Sequence, residues 1–256
     1  MFNERPMKKI ILNYLPNSFR EMLRKAYYFF TVSIDPSMVD DLAEYYHISR
    51  ADTLRLLRSA AQLDADFWNL MRPKTEEEIK RYYAINPFYV FDLVFWHATQ
   101  KQRARRARFT ELAAGQVLDY GGGVGDLCMM VAMKGLQVEY ADIPGNIFNF
   151  ARWQFEKYGC KIPMTNLLEK DILGKYGTMF CIDVIEHVLN PKEVLEKLVS
   201  HLEPGGLLFI NNLDVQASDD SPMHFELGFD AEAYLHNLGM EKQNELFLWK
   251  KINPSS

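Results

Sequence analysis

Asp119, Gly121, Gly123 and Gly125 stand at alternate positions in Val117-Leu118-Asp119-Tyr120-Gly121-Gly122-Gly123-Val124-Gly125-Asp126. An apolar run, a carboxylate and then spaced glycines read as a buried strand that turns into a helix. Such a turn can receive a nucleotide, because glycine leaves no Cβ in the way and the first N–H groups of the helix face outward. The spacing narrows the choice. A dinucleotide-binding G-x-G-x-x-G beginning at Gly121 requires glycine where Asp126 stands. A phosphate-cradling P-loop requires Gly-Lys-Ser/Thr, which does not occur in the chain.

The D-x-G-x-G-x-G pattern that is present resembles motif I of the class I S-adenosylmethionine-dependent methyltransferases. Further segments match that family in order. Asp142 follows Asp119 by 23 residues and ends the strand-like Val138-Glu139-Tyr140-Ala141-Asp142-Ile143. The resemblance implies that Asp142 accepts hydrogen bonds from both ribose hydroxyls, the stronger charge-assisted kind, with Ile143 beside it on the cofactor. Pro144-Gly145 stands where the family carries a small polar residue, and an aspartate here can also cap a helix. Asp171-Ile172 occupies the place where the family sets an acidic residue against the adenine amino group and an apolar one against the ring; a solvated loop aspartate is the alternative. Cys181-Ile182-Asp183-Val184-Ile185-Glu186-His187-Val188-Leu189-Asn190-Pro191 resembles the fourth-strand segment of methyltransferases of the ubiquinone-biosynthesis type, which places Asp183 at the cofactor. Leu202-Glu203-Pro204-Gly205-Gly206 matches the turn into the fifth strand, and Pro-Gly-Gly is a turn signal on physical grounds alone. The resemblance covers about residues 116–212.

That family implies S-adenosylmethionine as methyl donor and S-adenosylhomocysteine as product. A sulfonium methyl is already activated, so the protein has mainly to hold an acceptor in line behind it, and positioning can supply up to about 7–11 kcal/mol in ideal cases. A base is needed only where the acceptor loses a proton, as a hydroxyl does, and histidine is the natural one near neutral pH. His224, in His224-Phe225-(x)3-Phe229-Asp230, and His187 are the candidates, with His97 behind them; each can equally be structural. The sequence shows no metal-ligand spacing. It also lacks the Asp/Asn-Pro-Pro-Tyr of amide and adenine methylation and the Pro-Cys of the usual cytosine-C5 nucleophile. What remains is a small-molecule acceptor under a helical lid, with O-methylation favoured and C- or N-methylation open. Tyr82, Tyr83, His97 and Asn212 are the candidates for touching it. Two other classes stay open: methylation of a peptide or protein side chain, and a non-catalytic S-adenosylmethionine-binding module.

The elements that must position these residues fall into two stretches. Residues 1–112 read as helices. Asp35-Pro36, Ser49-x-x-Asp52 and Thr75-x-x-Glu78 are helix starts, and Asn86-Pro87 opens a long helix ending near Gly115. Residues 113–256 alternate strands (116–120, 136–141, 162–167, 178–183, 206–211) with helices (125–134, 145–158, 191–202, 230–238), the pattern of a parallel sheet covered on both faces. Met240–Gln243 and Leu246–Ile252 add an antiparallel C-terminal hairpin. The expectation is an α/β fold: a Rossmann-like class I methyltransferase sheet with an N-terminal helical cap.

Charge divides at the same place. Residues 1–112 carry 18 basic against 14 acidic side chains, and residues 113–256 carry 11 against 20, which gives +4 and −9 and the overall −5. Lys101, Arg103, Arg105, Arg106 and Arg108 form a basic helical run that reads as a solvated face or a dock for an acidic partner, with nucleic acid disfavoured by the low overall pI. Aromatic residues crowd the run from Tyr82 to Trp96, as a helix core or as a roof over the site. Cys128, Cys160 and Cys181 have neither disulfide nor zinc spacing. No apolar run reaches the roughly 20 residues of a membrane span. The short apolar stretch after Lys8-Lys9 is broken by Asn13 and Pro16, too soon for a signal peptide. A cytoplasmic protein is expected, with a homodimer left open.

Overall fold

The structure, a computed structural model, describes residues 33–214 and 222–252. The Lys8–Leu15 stretch lies outside them. Among the described residues five helices precede the first strand: α1 (Pro36–Tyr46), α2 (Arg50–Met71), α3 (Glu76–Ile85), α4 (Tyr89–His97) and α5 (Gln100–Leu112). Their starts follow the sequence signals. Asp35 accepts the Ser37 N–H at 2.9 Å, Ser49 accepts the Asp52 N–H at 3.1 Å, and Thr75 with Glu78 forms a reciprocal capping box.

The long helix expected from Asn86 to Gly115 is two helices, because Thr99 leaves the helical conformation and caps α5. The break is held from outside: Ile34 forms a β-bridge with Thr99, and the Asp35 N–H donates to the Ala98 carbonyl at 2.9 Å. Part of the basic run on α5 is paired within the fold. Arg106 is buried, Arg103 pairs with Asp35, and Arg108 pairs with Glu111 and Glu245. Lys101, Arg103 and Arg108 remain exposed, so α5 keeps a solvated basic face from which Arg106 is withdrawn.

From residue 117 strands and helices alternate: β1 (Val117–Tyr120), α6 (Asp126–Met133), β2 (Val138–Asp142), α7 (Asn146–Lys157), β3 (Met164–Asn166), β4 (Tyr176–Cys181), α8 (Pro191–His201), β5 (Leu202–Ile210), α9 (Ala231–Asn237), β6 (Met240–Lys242) and β7 (Leu248–Lys251). The sheet order is β3-β2-β1-β4-β5-β7-β6. The first five strands are parallel, and β7 runs antiparallel to both β5 and β6. The expected turn at Pro204-Gly205-Gly206 survives as an irregularity inside β5, where the register with β4 jumps from Tyr176↔Leu202 to Thr178↔Leu207. One sheet face packs Leu118, Met179, Leu208 and Ile210 against Leu195, Leu198 and Leu235. The other packs Val117, Phe180 and Phe209 against Phe109, Leu127 and Phe155.

The N-terminal helices sit on the ends of β1, β2 and β4 through several separate contacts. The Lys157 ammonium pairs with Asp41 and Glu44 of α1. Asn146 donates to the Asn86 carbonyl at 3.1 Å. Gly145 lets α3 close on the start of α7, since a Cβ there would lie 2.5 Å from the Ala84 carbonyl oxygen. Gly145→Ala is therefore expected to cost about 1–3 kcal/mol through overpacking, which lowers the thermal midpoint by roughly 2–4 °C per kcal/mol at this size. An unchanged midpoint in a denaturation scan would show that α3 yields at this contact.

Candidate active site

The strand order reverses between β1 and β4, and ligands of open α/β sheets bind outside the carboxyl ends of the strands at such a switch point. A cavity of about 300 Å³ opens there, within the range of small-molecule sites. Its floor is the loop leaving β1. Gly121, at φ +70°, has the Val184 side chain pressed where a Cβ would be. Gly123, at φ +55°, faces Leu93 and His97 of α4, 3.3 and 3.9 Å from where its Cβ would be. Both glycines line the cavity. Gly125 stands one step behind, closed over by the Phe155 ring.

Asp142 ends β2 beside this loop. Its carboxylate accepts the Gly123 N–H at 2.8 Å, the Ile143 N–H at 2.7 Å and the Tyr140 hydroxyl at 3.3 Å. Burial pushes its pKa up to about 6, against the pull of those donors. Asp142 and Ile143 both line the cavity. Asp119 does not: it lies beneath the loop, buried, with the Cys128 thiol donating to it at 3.4 Å. Burial raises its carboxyl to about 7.

The opposite wall comes from the segment after β4. Asp183 has φ +57°, a conformation that costs a non-glycine residue about 1–3 kcal/mol and must be held by its surroundings. Asn211 and Asn212 hold it. The Asp183 N–H donates to Asn211 Oδ1 at 2.7 Å, and both asparagine amides donate to Asp183 Oδ1, at 2.6 and 3.0 Å. Asp183 Oδ2 and Glu186 Oε2 are buried without a protein partner among the described residues. Glu186 Oε1 accepts from Asn212, and burial, with Asp183 nearby, lifts the Glu186 carboxyl to about 8.

His187 lines the cavity and meets the Tyr83 hydroxyl of α3 at 2.7 Å. Its Nδ1 also lies 3.3 Å from the Met223 carbonyl. Nδ1 can serve the Met223 carbonyl only as a donor, whereas the nearer Tyr83 hydroxyl can donate to it or accept from it, and only the tautomer with the proton on Nδ1 leaves Nε2 its lone pair. The His224 ring stacks edge-on against it, 4.7 Å between centroids. Burial and then His224 lower the His187 pKa to about 3, and burial lowers that of His224 as well. Glu186, His187 and His224 offer one ligand atom each within 4.8 Å of one another, the group of described residues that could hold a metal ion.

On the helical side, His97 Nδ1 and Arg106 Nε reach the two oxygens of Asp126, at 2.8 and 3.3 Å. Burial opposes ionisation of Asp126, but His97 and Arg106 outweigh it and hold the carboxyl well below the usual range.

The fold thus brings Gly121, Gly123, Asp142, Ile143, Asp183 and His187 to one cavity, with Tyr83 and His97 from the helices above. Other expected residues stand elsewhere. Tyr82 turns its hydroxyl into the helical core against Asp64; adjacent positions on a helix face different ways, and Tyr83 takes the cavity. Asn212 supports Asp183 and Glu186 rather than the cavity wall. His224 stands behind His187. Asp171 is tied to Lys197 at 2.9 Å, and Ile172 is buried in the sheet core. Leu167, directly after β3, lines the cavity where Ile172 was expected. Tyr89 belongs to the aromatic run expected as core or roof, and it lines the cavity; Leu93 and Glu186 were not assigned a role, and the Asn86-Pro87 helix start and the segment after β4 were the signals that pointed near them.

Residues 95–248 match a protein family described as the methyltransferase domain. The chain belongs to this family. A ubiquinone biosynthesis O-methyltransferase of Xanthomonas euvesicatoria is 30% identical over 132 residues, 50% of this chain and 53% of the relative. One from Chromobacterium violaceum is 25% identical over 174 residues, 66% of this chain and 67% of the relative. The chain spans about half the length of most of the curated relatives it matches. An O-methyltransferase family protein from Burkholderia thailandensis superposes with a TM-score of 0.56 at 13% identity, over 78% of this chain and 72% of that one. The sheet is accordingly that of the class I methyltransferase fold. No helix among the described residues is long and apolar enough to cross a membrane.

The raised carboxyls give this methyltransferase domain a pH signature. A carboxyl whose pKa is higher in the folded than in the unfolded chain binds its proton more tightly when folded. Its contribution is full below the unfolded value and is lost as pH rises through the folded one. For Glu186 that window runs from about 4.5 to about 8. Denaturant unfolding is expected to show stability falling across it, with a shallower fall in Glu186→Gln. An identical slope in the variant would mean that Glu186 ionises freely in the fold.

Proposed function

We propose that this chain transfers the methyl group of S-adenosylmethionine to a hydroxyl of a small-molecule acceptor. The observation that carries the donor assignment is Asp142: a cavity-facing carboxylate at the end of β2, directly beside a glycine that a side chain could not replace without filling the cavity. The residues present fit the donor. Asp142 would accept from the ribose hydroxyls, Ile143 and Leu167 would flank the adenine, and the open surface over Gly121 and Gly123 would take the arm that carries sulfur. When bound, the donor supplies an electrophilic methyl group on a sulfonium.

The acceptor end is set by His187, Tyr83 and Asp183 on the facing wall. His187, neutral because it is buried, presents the Nε2 lone pair to an acceptor hydroxyl and takes a hydrogen bond from it. The proton that the hydroxyl gives up as its oxygen takes the methyl group goes to Nε2, and the His224 ring stands edge-on behind the pair. Tyr83 fixes the ring's orientation through Nδ1. The helices α3 and α4 roof the site with Tyr83, Tyr89 and Leu93 and keep water from the methyl path. Relatives with O-methyltransferase names support a hydroxyl as acceptor.

Calorimetric titration tests the donor half. The protein is expected to bind both S-adenosylmethionine and S-adenosylhomocysteine, and Asp142→Ala to weaken each by on the order of tenfold to hundredfold, the loss of charge-assisted hydrogen bonds of about 1.5–3 kcal/mol. Wild-type affinity in Asp142→Ala would remove the ribose assignment, and absence of binding to wild type would remove the donor.

A further inference from the structure

We propose that His97 Nε2 receives the α-ammonium group at the amino-acid end of the methyl donor, an assignment that rests on the donor reading above. Three observations converge on it. First, the ring has a fixed orientation. Asp126 Oδ1 lies 2.8 Å from His97 Nδ1 while Arg106 Nε engages Oδ2 at 3.3 Å. An ionised carboxylate only accepts, so the His97 proton sits on Nδ1 and the lone pair on Nε2. Burial and the neighbouring Arg106 keep this imidazole neutral.

Second, the remaining nitrogen is on the right side. His97 lines the cavity, its Cε1, the carbon between the two ring nitrogens, lies 3.9 Å from where a Cβ on Gly123 would be, and with Nδ1 turned to Asp126 it is Nε2 that is left for the cavity. Third, Gly123 stands between the two groups that would grip the donor. Its N–H is on the Asp142 carboxylate at 2.8 Å, and its Cα faces Leu93 and His97. A nucleoside whose ribose sits on Asp142 and whose 5′ substituent crosses Gly123 carries that substituent towards α4. The chain Asp126–His97–ammonium then alternates acceptor, donor, acceptor and donor, with the carboxylate's charge behind the imidazole to favour a cation in front. The same device makes His97 a residue for the donor rather than for the acceptor, whose proton-accepting imidazole stands on the other wall.

The test uses three ligands and two variants of the purified chain. 5′-Methylthioadenosine keeps the adenine, ribose and sulfur of S-adenosylhomocysteine but lacks the amino-acid arm; deaminated S-adenosylhomocysteine lacks the ammonium alone. Wild type is expected to bind S-adenosylhomocysteine at least tenfold more tightly than either. His97→Asn, whose amide reaches only as far as Nδ1, is expected to lose that preference while keeping its affinity for 5′-methylthioadenosine. His97→Gln, whose amide reaches the Nε2 position, is expected to recover part of it. Equal weakening of all three ligands in His97→Asn would assign the residue to structure alone and overturn the proposal. So would wild-type chain that binds the deaminated compound as tightly as S-adenosylhomocysteine, a result that needs no variant to fold. A wild type that binds none of the three would instead remove the donor reading on which the proposal stands.

Discussion

The helical part and the sheet meet on one buried carboxylate. Asp126 is the first residue of α6, directly after Gly125, so whatever holds Asp126 also holds the loop that floors the cavity. A buried charge is tolerated only when its partners satisfy it, and here both oxygens are met, by His97 from α4 and Arg106 from α5. That requirement shapes the helices. Residues nine apart on a straight α-helix lie roughly 180° apart around its axis, so His97 and Arg106 could not reach one carboxylate from a single rod. The break at Ala98-Thr99 reorients α5 and lets them converge. Removing either partner would leave a buried charge half-paired, at a cost of several kcal/mol.

The sheet and the glycine turn are legible in the sequence because both are written in local terms. Strand and helix periods alternate, the positive φ of Gly121 and Gly123 asks for glycine, and no element depends on a distant residue to be recognised. The helix break is not local. Thr99 is flanked by Ala98 and Gln100 with neither glycine nor proline, and its departure from the helix is fixed by Ile34 and by the pull of Asp126 on both sides. For the same reason the basic run on α5 reads as a solvated face, although Arg106 is buried and Arg103 and Arg108 are bound to carboxylates far away in the chain.

The shift from Ile172 to Leu167 has a similar origin. The apolar run 162–167 conceals where β3 ends, and a site at the carboxyl edge of a sheet is built from the residue that leaves the strand. β3 ends at Asn166, paired with Asp142, so Leu167 emerges next to Ile143. Five residues later the chain has returned under the sheet, and Ile172 packs among Leu195, Leu198 and Leu202. Tyr82 and Tyr83 show the complementary limit: an aromatic pair marks a helix near a site, but which ring turns inward is decided by the partner it finds, Asp64 for one and His187 for the other.

The carboxyls around the cavity also bear on the proposed reaction. A sulfonium loses its positive charge as its methyl group departs, so a ring of fully ionised carboxylates would hold the reactant more firmly than the transition state and oppose transfer. Burial works against that. It lifts Glu186 to about 8 and Asp119 to about 7, so that near neutral pH the first is mostly protonated and the second about half so. Asp142, at about 6, remains mostly ionised, and in the proposed pose it would stand at the ribose rather than at the reacting carbon. Asp126, held ionised, is paired with Arg106 and His97 and does not itself line the cavity. On the proposed reading, burial thus keeps Glu186 and Asp119 from adding their full charge to a site that would grip a cationic donor by its sugar and its amino-acid arm.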